Sequence, residues 1–585
     1  MMARNFSILL AIFFVAPSAA FVPVGQSLAR TRVRPRLSSL HAQSSSNGLP
    51  GSLSAAPPGN FVGLSEGEPF SYLEAVLKAR VYDVCVETPC SPMSRLSDRV
   101  GNTVLVKRED MQPVFSFKLR GAYNLIANLP QSELDKGIVT ASAGNHAQGV
   151  AFSAAHLGCK AIIVMPTVTP DIKVEAVRRL GADVRLIGDT FNEASEYAQS
   201  LSAEKGMPYI PPFDHPLVIA GQGTIGMEIL RQVSSSVDLA AVFVPVGGGG
   251  LIAGIGGYLK VIRPGVRIIG VEPTGADAMF RSLHEGERVT LEQVDTFADG
   301  VAVKIVGKET FRVAQDVVDE VVLVTNDEIC AALKDMFEDT RSVMEPSGAL
   351  SIAGAKQWLA KTEMKGRTVI AVTSGANMNF DRLRVVAERA DVGDKAEAML
   401  ATFIPEEKGS FLNFINILAG AGLSRNTPSR SITEFKYRFN AKDQARRGCA
   451  TVFYSVNTAS QEDSSELVKT LNGEGLETID LSANDLSKDH VRFLAGGSAD
   501  VADEEIYRIE FPEKAGALRS FLDALDSRFN ISLFHYKSRG TITGFVLLGI
   551  QLRSAEDKAS FEAVVSELGW MCNCETENVA AKLFL

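Results

Sequence analysis

The chain is 585 residues long, enough for roughly three or four domains, and a hydrophobic content of 46% describes a globular, enzyme-sized protein. Its net charge of −10, with no basic stripe of interleaved aromatics, argues against nucleic acid as the main partner. Seven scattered cysteines (Cys572 and Cys574 form a lone C-x-C) and seven histidines without an H-E-x-x-H spacing give no metal motif, so the cysteines read as reduced structural thiols.

The first 65 residues differ from the rest. "MMARNFSILLAIFFVAPSAA" has a basic start at Arg4, an apolar run from Ile8 to Val15 and a small-residue exit, the grammar of a signal peptide over 1–20. Residues 21–65 then carry Arg30, Arg32, Arg34 and Arg36 and no acidic residue, as organelle transit peptides do. The combination resembles the two-part plastid presequence of algae with secondary plastids. A plain secretory signal with a disordered linker is the alternative.

Residues 66–395 are expected to form the catalytic domain. "SFKLRGA" places Lys118 inside an apolar helix start, where a surface lysine is the ordinary reading. "NTVLVKRE", "GIVTAS", "AIIVMP", "AAVFVPV", "RIIGVEP" and "RTVIAVTS" read as buried strands, and helical patterns lie between them. That alternation predicts an α/β unit with open, mostly parallel sheet covered on both faces, which binds ligands at the carboxyl ends of its strands.

Three strand-to-helix loops stand out. "TASAGNHAQG" offers small residues at Ser142, Ala143 and Gly144, then polar Asn145 and His146; alone it reads as a helix N-cap. "VPVGGGGLIAG" puts Gly247, Gly248, Gly249, Gly250 and Leu251 at a helix start, where backbone N–H groups can close on a phosphate. It lacks the G-K-[ST] of a nucleotide P-loop, although Gly248, Gly250 and Ala253 formally fit a dinucleotide fingerprint. "VTSGANMNF" ends a strand at Ser374. All three loops are expected on one edge of a parallel sheet.

The tail contains an internal repeat. "IPEEKGSFLNF" and "FPEKAGALRSF" share the spacing P-x3-G-x4-F through Pro405, Gly409, Phe414 and Pro512, Gly516, Phe521. Each is followed by I-x2-F-x-Y, at Ile432, Phe435, Tyr437 and at Ile531, Phe534, Tyr536. The first copy carries an insertion, "GAGLSRNTPS", that reads as a surface loop. The two modules are expected over 399–482 and 497–585.

"SFKLRGA", "SAGNHAQG", "GGGGL" and "SGAN" together resemble the motif set of the threonine/serine dehydratase group of pyridoxal phosphate (PLP) enzymes, and the tail resembles the regulatory domain of biosynthetic threonine deaminases. The resemblance covers nearly everything from Phe70 to Leu585. It implies a fold type II PLP enzyme, built like the tryptophan synthase β chain, followed by two α+β ACT-like, ferredoxin-like modules. It further implies that Lys118 carries PLP covalently, that Phe117 lies against the ring and that Gly247 to Leu251 hold the phosphate. Asn145 then bonds the ring's 3′-oxygen, Ser374 faces the pyridine nitrogen, and Ser142, Ala143, Gly144 and His146 receive the substrate carboxylate. A neutral serine at the pyridine nitrogen weakens the electron sink and favours prompt loss of a β-leaving group.

The implied reaction takes L-threonine to 2-oxobutanoate and ammonia, and L-serine to pyruvate. Lys118 removes the α-proton, and the β-hydroxyl leaves with a proton supplied through the cofactor phosphate. Serine racemases of this group carry a second base where this chain has Ala143, so racemisation is not expected. Glu272 matches part of a cation site of that relative, but Ala278 replaces an acidic ligand, so no required metal is expected. The family implies feedback inhibition by isoleucine opposed by valine, and a homotetramer, with no membrane association of the mature form. Tyr437 and Tyr536 are the candidate effector residues, with Arg492 beside them; Lys537 stands where relatives often carry arginine, which alters carboxylate recognition. A serine-preferring dehydratase and an inactive amino-acid sensor are the alternatives, with a dinucleotide-dependent enzyme more remote.

Overall fold

The computed structural model describes residues 70–405, 410–418, 432–437, 449–493, 501–512, 521, 524–525, 528–537 and 543–585. The leader readings, Gly409, Gly516 and the inserted loop lie outside the described residues.

The catalytic unit has two sheets where the sequence suggests one. The larger has six strands in the order β1-β2-β9-β6-β7-β8. These are β1 (Cys90–Pro92), β2 (Thr103–Arg108), β6 (Leu239–Pro245), β7 (Arg267–Pro273), β8 (Glu320–Val324) and β9 (Thr368–Thr373). Only β1 runs antiparallel to its neighbour. β6 is buried at all seven positions, as a strand covered on both faces must be, and its Val/Phe-rich run reflects that. The smaller sheet, β3 (Ile138–Ala141), β4 (Ala161–Met165) and β5 (Asp183–Leu186), is wholly parallel.

The chain crosses between the sheets twice. Helix α1 (Lys118–Ile126) leads to the small sheet, whose β3 feeds α2 (Asn145–Leu157), and α3 (Pro216–Gln232) leads back. The two crossings pack closely. A Cβ on Gly121 would lie 2.3 Å from the Gln222 amide nitrogen, and one on Gly221 2.7 Å from the Arg120 carbonyl, so only glycine permits this approach. Beyond β6 the unit continues through α4 (Gly250–Ile262), α5 (Asn326–Thr340), α6 (Pro346–Thr362) and α7 (Arg382–Gly393).

A buried ionic network staples both crossings. Lys107 of β2, Glu109 just after it, Arg120 of α1 and Glu228 of α3 are all fully buried. The Arg120 guanidinium donates to Glu109 at 2.8 Å, to Glu228 at 2.6 and 3.0 Å and to Thr224 Oγ1 at 3.1 Å. Lys107 Nζ reaches Glu228 at 2.6 Å and the Thr88 carbonyl. Two cations face two carboxylates, which compensates charges that would be costly to bury alone.

Each tail module is an antiparallel four-stranded sheet with helices on one face, in the ferredoxin-like ACT-type arrangement. The first has the order β11-β12-β10-β13: β10 (Glu397–Pro405), β11 (Ile432–Tyr437), β12 (Cys449–Asn457) and β13 (Thr478–Asp480). The second repeats it as β15-β16-β14-β17: β14 (Glu504–Pro512), β15 (Asn530–Lys537), β16 (Thr543–Gln551) and β17 (Cys572–Cys574). Phe414 and Phe521, matched in the sequence repeat, are both fully buried in their own module cores. Even the irregularities match: the register shifts between Ile432 and Glu434 and between Ile531 and Leu533. The displaced hydroxyls, Thr433 and Ser532, donate to Glu397 and Glu504, the first residues of β10 and β14.

A further apolar core joins the two modules, with Met399, Ala401, Phe453 and Leu481 from the first and Ile506, Leu547 and Ala581 from the second. The short helices α8 (Asp485–Asp489) and α9 (Val579–Phe584) start on Asn484 and Asn578, and these two caps bond each other at 2.9 Å. The first module is tied to the catalytic unit by charge. Arg389 of α7, buried, reaches Asp327 of α5 at 2.5 Å and Asp485 of α8 at 2.8 Å; Lys488 reaches Asp327 at 2.6 Å and Asp485 at 2.9 Å.

The stapling network has a measurable consequence. Arg120→Met leaves Glu109 and Glu228 buried against Lys107 alone, and the loss expected is about 3–5 kcal/mol of stability. Urea unfolding of the variant against wild type measures it. A loss below about 1 kcal/mol would contradict this account.

Candidate active site

The loop after β9 and the segment before α1 are joined by their backbones. Phe117 N–H donates to the Ser374 carbonyl at 3.1 Å, Ala376 N–H donates to the Phe115 carbonyl at 2.9 Å, and Ser116 pairs with Gly375 between them. Lys118 therefore begins its helix beside Ser374. Its Nζ donates to the Pro212 carbonyl at 2.9 Å and lies 5.3 Å from the Phe117 ring centroid and 5.9 Å from that of Phe213. Burial pulls its pKa down to about 8, against the attraction of Glu345. A lysine so placed is partly neutral near physiological pH and can act as a nucleophile or base.

Gly247 to Gly250 form a turn on which side chains would collide. A Cβ on Gly248 would lie 2.3 Å from the Phe213 ring, and one on Gly249, at φ +93°, 2.7 Å from Met279. The Gly248 carbonyl is held by Thr310 Oγ1 at 2.6 Å and Gly307 N–H at 3.1 Å. Leu251 is the second residue of α4, whose first N–H groups have no intrahelical acceptor. The turn is thus a neutral, amide-lined anion cup, with the helix dipole favouring negative charge.

Asn145 and His146 open α2. Asn145 Nδ2 donates to Glu345 Oε1 at 2.7 Å, and its Oδ1 accepts from Asn377 Nδ2 at 2.6 Å. His146 Nε2 donates to the Ile210 carbonyl at 2.9 Å, which fixes the tautomer and leaves Nδ1 as a buried acceptor without a partner. Burial, aided by the Lys118 charge, lowers its pKa to about 3, so the ring is neutral. Ser142 Oγ accepts from Gly144 N–H at 3.3 Å, and a Cβ on Gly144 would meet nothing within 4 Å, so the loop has open room above it. Ala143 packs at the edge of the small-sheet core. Ser374, buried, donates to the Ser347 carbonyl at 3.3 Å.

The three loops do not share one sheet edge. The Gly247 and Ser374 loops follow β6 and β9 of the large sheet, whereas the Ser142–His146 loop follows β3 of the small one. The site is a cleft between the two sheets, because the chain leaves the large sheet after β2 to build β3–β5 and returns at β6.

Glu345, Asn377, Phe213 and Thr310 are site residues that the sequence reading missed. Glu345 sits immediately before α6 in "EPSGA", where an acid before proline reads as a helix start. Glu272 accepts from Met279 N–H at 2.9 Å and Phe280 N–H at 2.8 Å, so both its oxygens are engaged by backbone. Among the described residues no group of three or more His, Cys, Asp or Glu could hold a metal ion.

The tail candidates are less completely seen. Tyr437 and Tyr536 pair with Val452 and Val546 across their sheets. Their side chains, like that of Lys537, lie outside the described residues. The Arg492 guanidinium is engaged, with Nη1 donating to the Glu388 carbonyl at 3.0 Å and Nε 3.3 Å from Glu434. His490 and His535 meet across the two modules, Nδ1 to Nδ1, at 2.8 Å.

A glycine anion cup, a lysine of lowered pKa and unpartnered buried acceptors or donors at His146 Nδ1, Ser116 Oγ and Ser347 Oγ fit a phosphorylated aldehyde cofactor. The family of pyridoxal-phosphate dependent enzymes matches residues 81–375, and the C-terminal regulatory domain of threonine dehydratase matches twice, at 388–491 and 495–585. The chain belongs to the pyridoxal-phosphate dependent enzymes and, within them, to the threonine dehydratases with a C-terminal regulatory domain. It is 52% identical over 516 residues to threonine dehydratase 1 biosynthetic, chloroplastic, of Solanum lycopersicum, across 88% of this chain and 82% of that protein. It is 48% identical to L-threonine dehydratase biosynthetic IlvA of Burkholderia multivorans, across 88% and 99%. The processed form of threonine deaminase isoform 2 from Solanum lycopersicum superposes with a TM-score of 0.54 at 54% identity, over 58% of this chain and 99% of that one. Its cofactor is PLP.

The lowered lysine pKa predicts how cofactor attaches. Only the neutral amine attacks an aldehyde, so the rate at which apoprotein takes up PLP should rise with pH and level off above about 8, not above 10 as for an ordinary lysine. Stopped-flow absorbance across that range measures it. A rate still climbing at pH 10 would contradict the buried environment described for Lys118.

Proposed function

We propose that the cleft dehydrates and deaminates L-threonine to 2-oxobutanoate and ammonia at the entry to isoleucine biosynthesis, with L-serine as a second substrate. The observation that carries this reading is the buried Lys118 amine, of lowered pKa, set beside the glycine cup and the Ser142–His146 loop. Bound PLP supplies an electron sink for the α-carbon of an attached amino acid. Gly247, Gly248, Gly249, Gly250 and Leu251 would hold its phosphate, Phe117 would flank its ring, Asn145 would donate to its 3′-oxygen, and neutral Ser374 would meet its pyridine nitrogen.

This chain's own groups do the rest. The loop from Ser142 through Ala143 and Gly144 to His146, opening the dipole of α2, would receive the substrate carboxylate. Lys118 Nζ, neutral once released, would take the α-proton, and loss of the β-hydroxyl follows. Ala143 offers no second base on the opposite side, which supports elimination over racemisation. Phe213, lying against both Lys118 and the cup, would help to exclude water.

The paired tail modules support feedback control by isoleucine, relieved by valine, with Tyr437 and Tyr536 at matched register as the effector positions and Arg492 near them. Such control needs effector and substrate to bias the same global states. We further propose a homotetramer, and a mature enzyme residing in a plastid of secondary origin after removal of residues 1–65. The chloroplastic name of the tomato relative and the arginine-rich, acid-free leader support the plastid.

Release of 2-oxobutanoate from L-threonine, with and without L-isoleucine and L-valine, tests both halves. The expected result is turnover suppressed by isoleucine and restored by valine. Turnover indifferent to isoleucine would overturn the regulatory half, and no turnover with PLP present would overturn the catalytic half in favour of an amino-acid sensor. Lys118→Ala should remain folded, lose the visible absorbance of bound PLP and lose turnover by about a thousandfold or more.

A further inference from the structure

Glu345 is a buried acid in the cleft for which the proposed reaction has no use. Its backbone begins α6, with N–H donating to the Gly375 carbonyl at 3.2 Å, which fixes it against the loop that carries Ser374. Its Oε1 takes the Asn145 Nδ2 hydrogen at 2.7 Å. Little else fits in its surroundings. A Cβ on Gly375 would lie 2.9 Å from Oε1, and one on Gly300 3.3 Å.

The hydrogen bonds around it form a relay of one polarity. Asn377 Nδ2 donates both to the Val114 carbonyl at 2.8 Å and to Asn145 Oδ1 at 2.6 Å, and Asn145 Nδ2 donates to Glu345. A carbonyl ends the relay on one side and a carboxylate on the other, so neither amide can flip without losing two bonds. One Asn145 N–H is committed to Glu345, and the amide's second N–H is the group left to meet a ring oxygen.

We infer that Glu345 is a positioning residue for the cofactor: it holds the Asn145 amide toward the ring's 3′-oxygen, and its charge stabilises the protonated form of the Lys118 linkage. This rests on the assignment of Lys118 and Asn145 to PLP. The charged groups around Glu345 are Lys118 on α1 and Asp299, the latter neutralised by Lys173 at 2.6 Å and by Arg382 at 3.3 Å. With Asp299 already paired, Glu345 is the carboxylate left to balance a cation at Lys118. Burial and the nearby Asp299 push its pKa up to about 7, so the charge is present above neutral pH and fades below it.

Two variants separate the orienting role from the charge. Glu345→Gln keeps an oxygen that accepts from Asn145 but removes the charge; Glu345→Ala removes both. The readouts are the PLP dissociation constant and the pH midpoint of the visible absorbance of bound PLP. Both are taken on the resting holoenzyme without threonine, so they stand apart from the turnover that judges the functional reading.

For Glu345→Gln the expected result is near wild-type affinity, with the absorbance midpoint lowered by about one pH unit, since an opposite charge nearby favours the protonated form. For Glu345→Ala the same shift is expected with affinity weaker by about tenfold, the scale of one lost hydrogen bond. A wild-type midpoint in Glu345→Gln, or wild-type affinity in a folded Glu345→Ala, would overturn the inference. General loosening of the site would weaken affinity in both variants and leave the midpoint in place, which also overturns it.

Discussion

Everything catalytic in this chain hangs on four buried charges. Lys107, Glu109, Arg120 and Glu228 sit where the polypeptide leaves the large sheet through α1 and returns to it through α3. The balance is strict, since removing any one member strands its partners in a medium that cannot solvate them. Lys118 lies two residues before Arg120, on the same turn of α1, so the clamp that holds the two sheets together also sets where the reactive amine stands. The network has no polar route to water, and its contribution is geometric definition more than net stability.

Much of this was legible in the sequence. The fully buried strands β4, β6, β7 and β9 announce themselves as unbroken apolar runs, because strands covered on both faces need no alternation. β1 escaped notice because it is a three-residue edge strand ending in proline, and β5 because its Asp183 and Leu186 face solvent. The division into two sheets was not readable, since strand–helix alternation states that strands are parallel but not which ones pair. Glu345 and Asn377 were hidden for another reason: each looks like ordinary helix-start or loop chemistry until the fold brings it to Asn145. The motif loops themselves were plain, because small residues followed by polar ones at strand ends have few other uses.

The tail shows how far a repeat goes beyond its motif. The spacing P-x3-G-x4-F marked two copies, and the structure extends the match to a displaced hydroxyl bonded to a glutamate in each. Neither copy stands alone. They share an apolar core and bond each other through Asn484 and Asn578, a contact near a local two-fold relation between the modules. The symmetry is incomplete. His490 of the first module meets His535 of the second, whereas Phe584 of the second packs on Phe453 of the first at 5.5 Å. Two clefts built from one plan are therefore lined with different chemistry, and a single small ligand does not see them as equals.

The joint around Arg389 carries a consequence for how information moves. Arg389 and Lys488 hold Asp327 of the catalytic unit and Asp485 of the first module in one buried cluster. An oily seam would let the module slide by small degrees, each displacement costing a little more than the last. Charged groups out of water have no such intermediate positions, for a half-broken contact costs nearly as much as a lost one. The module therefore speaks to the catalytic unit in whole words: the joint is engaged or it has re-formed elsewhere, and the enzyme's response to its tail is discrete by construction.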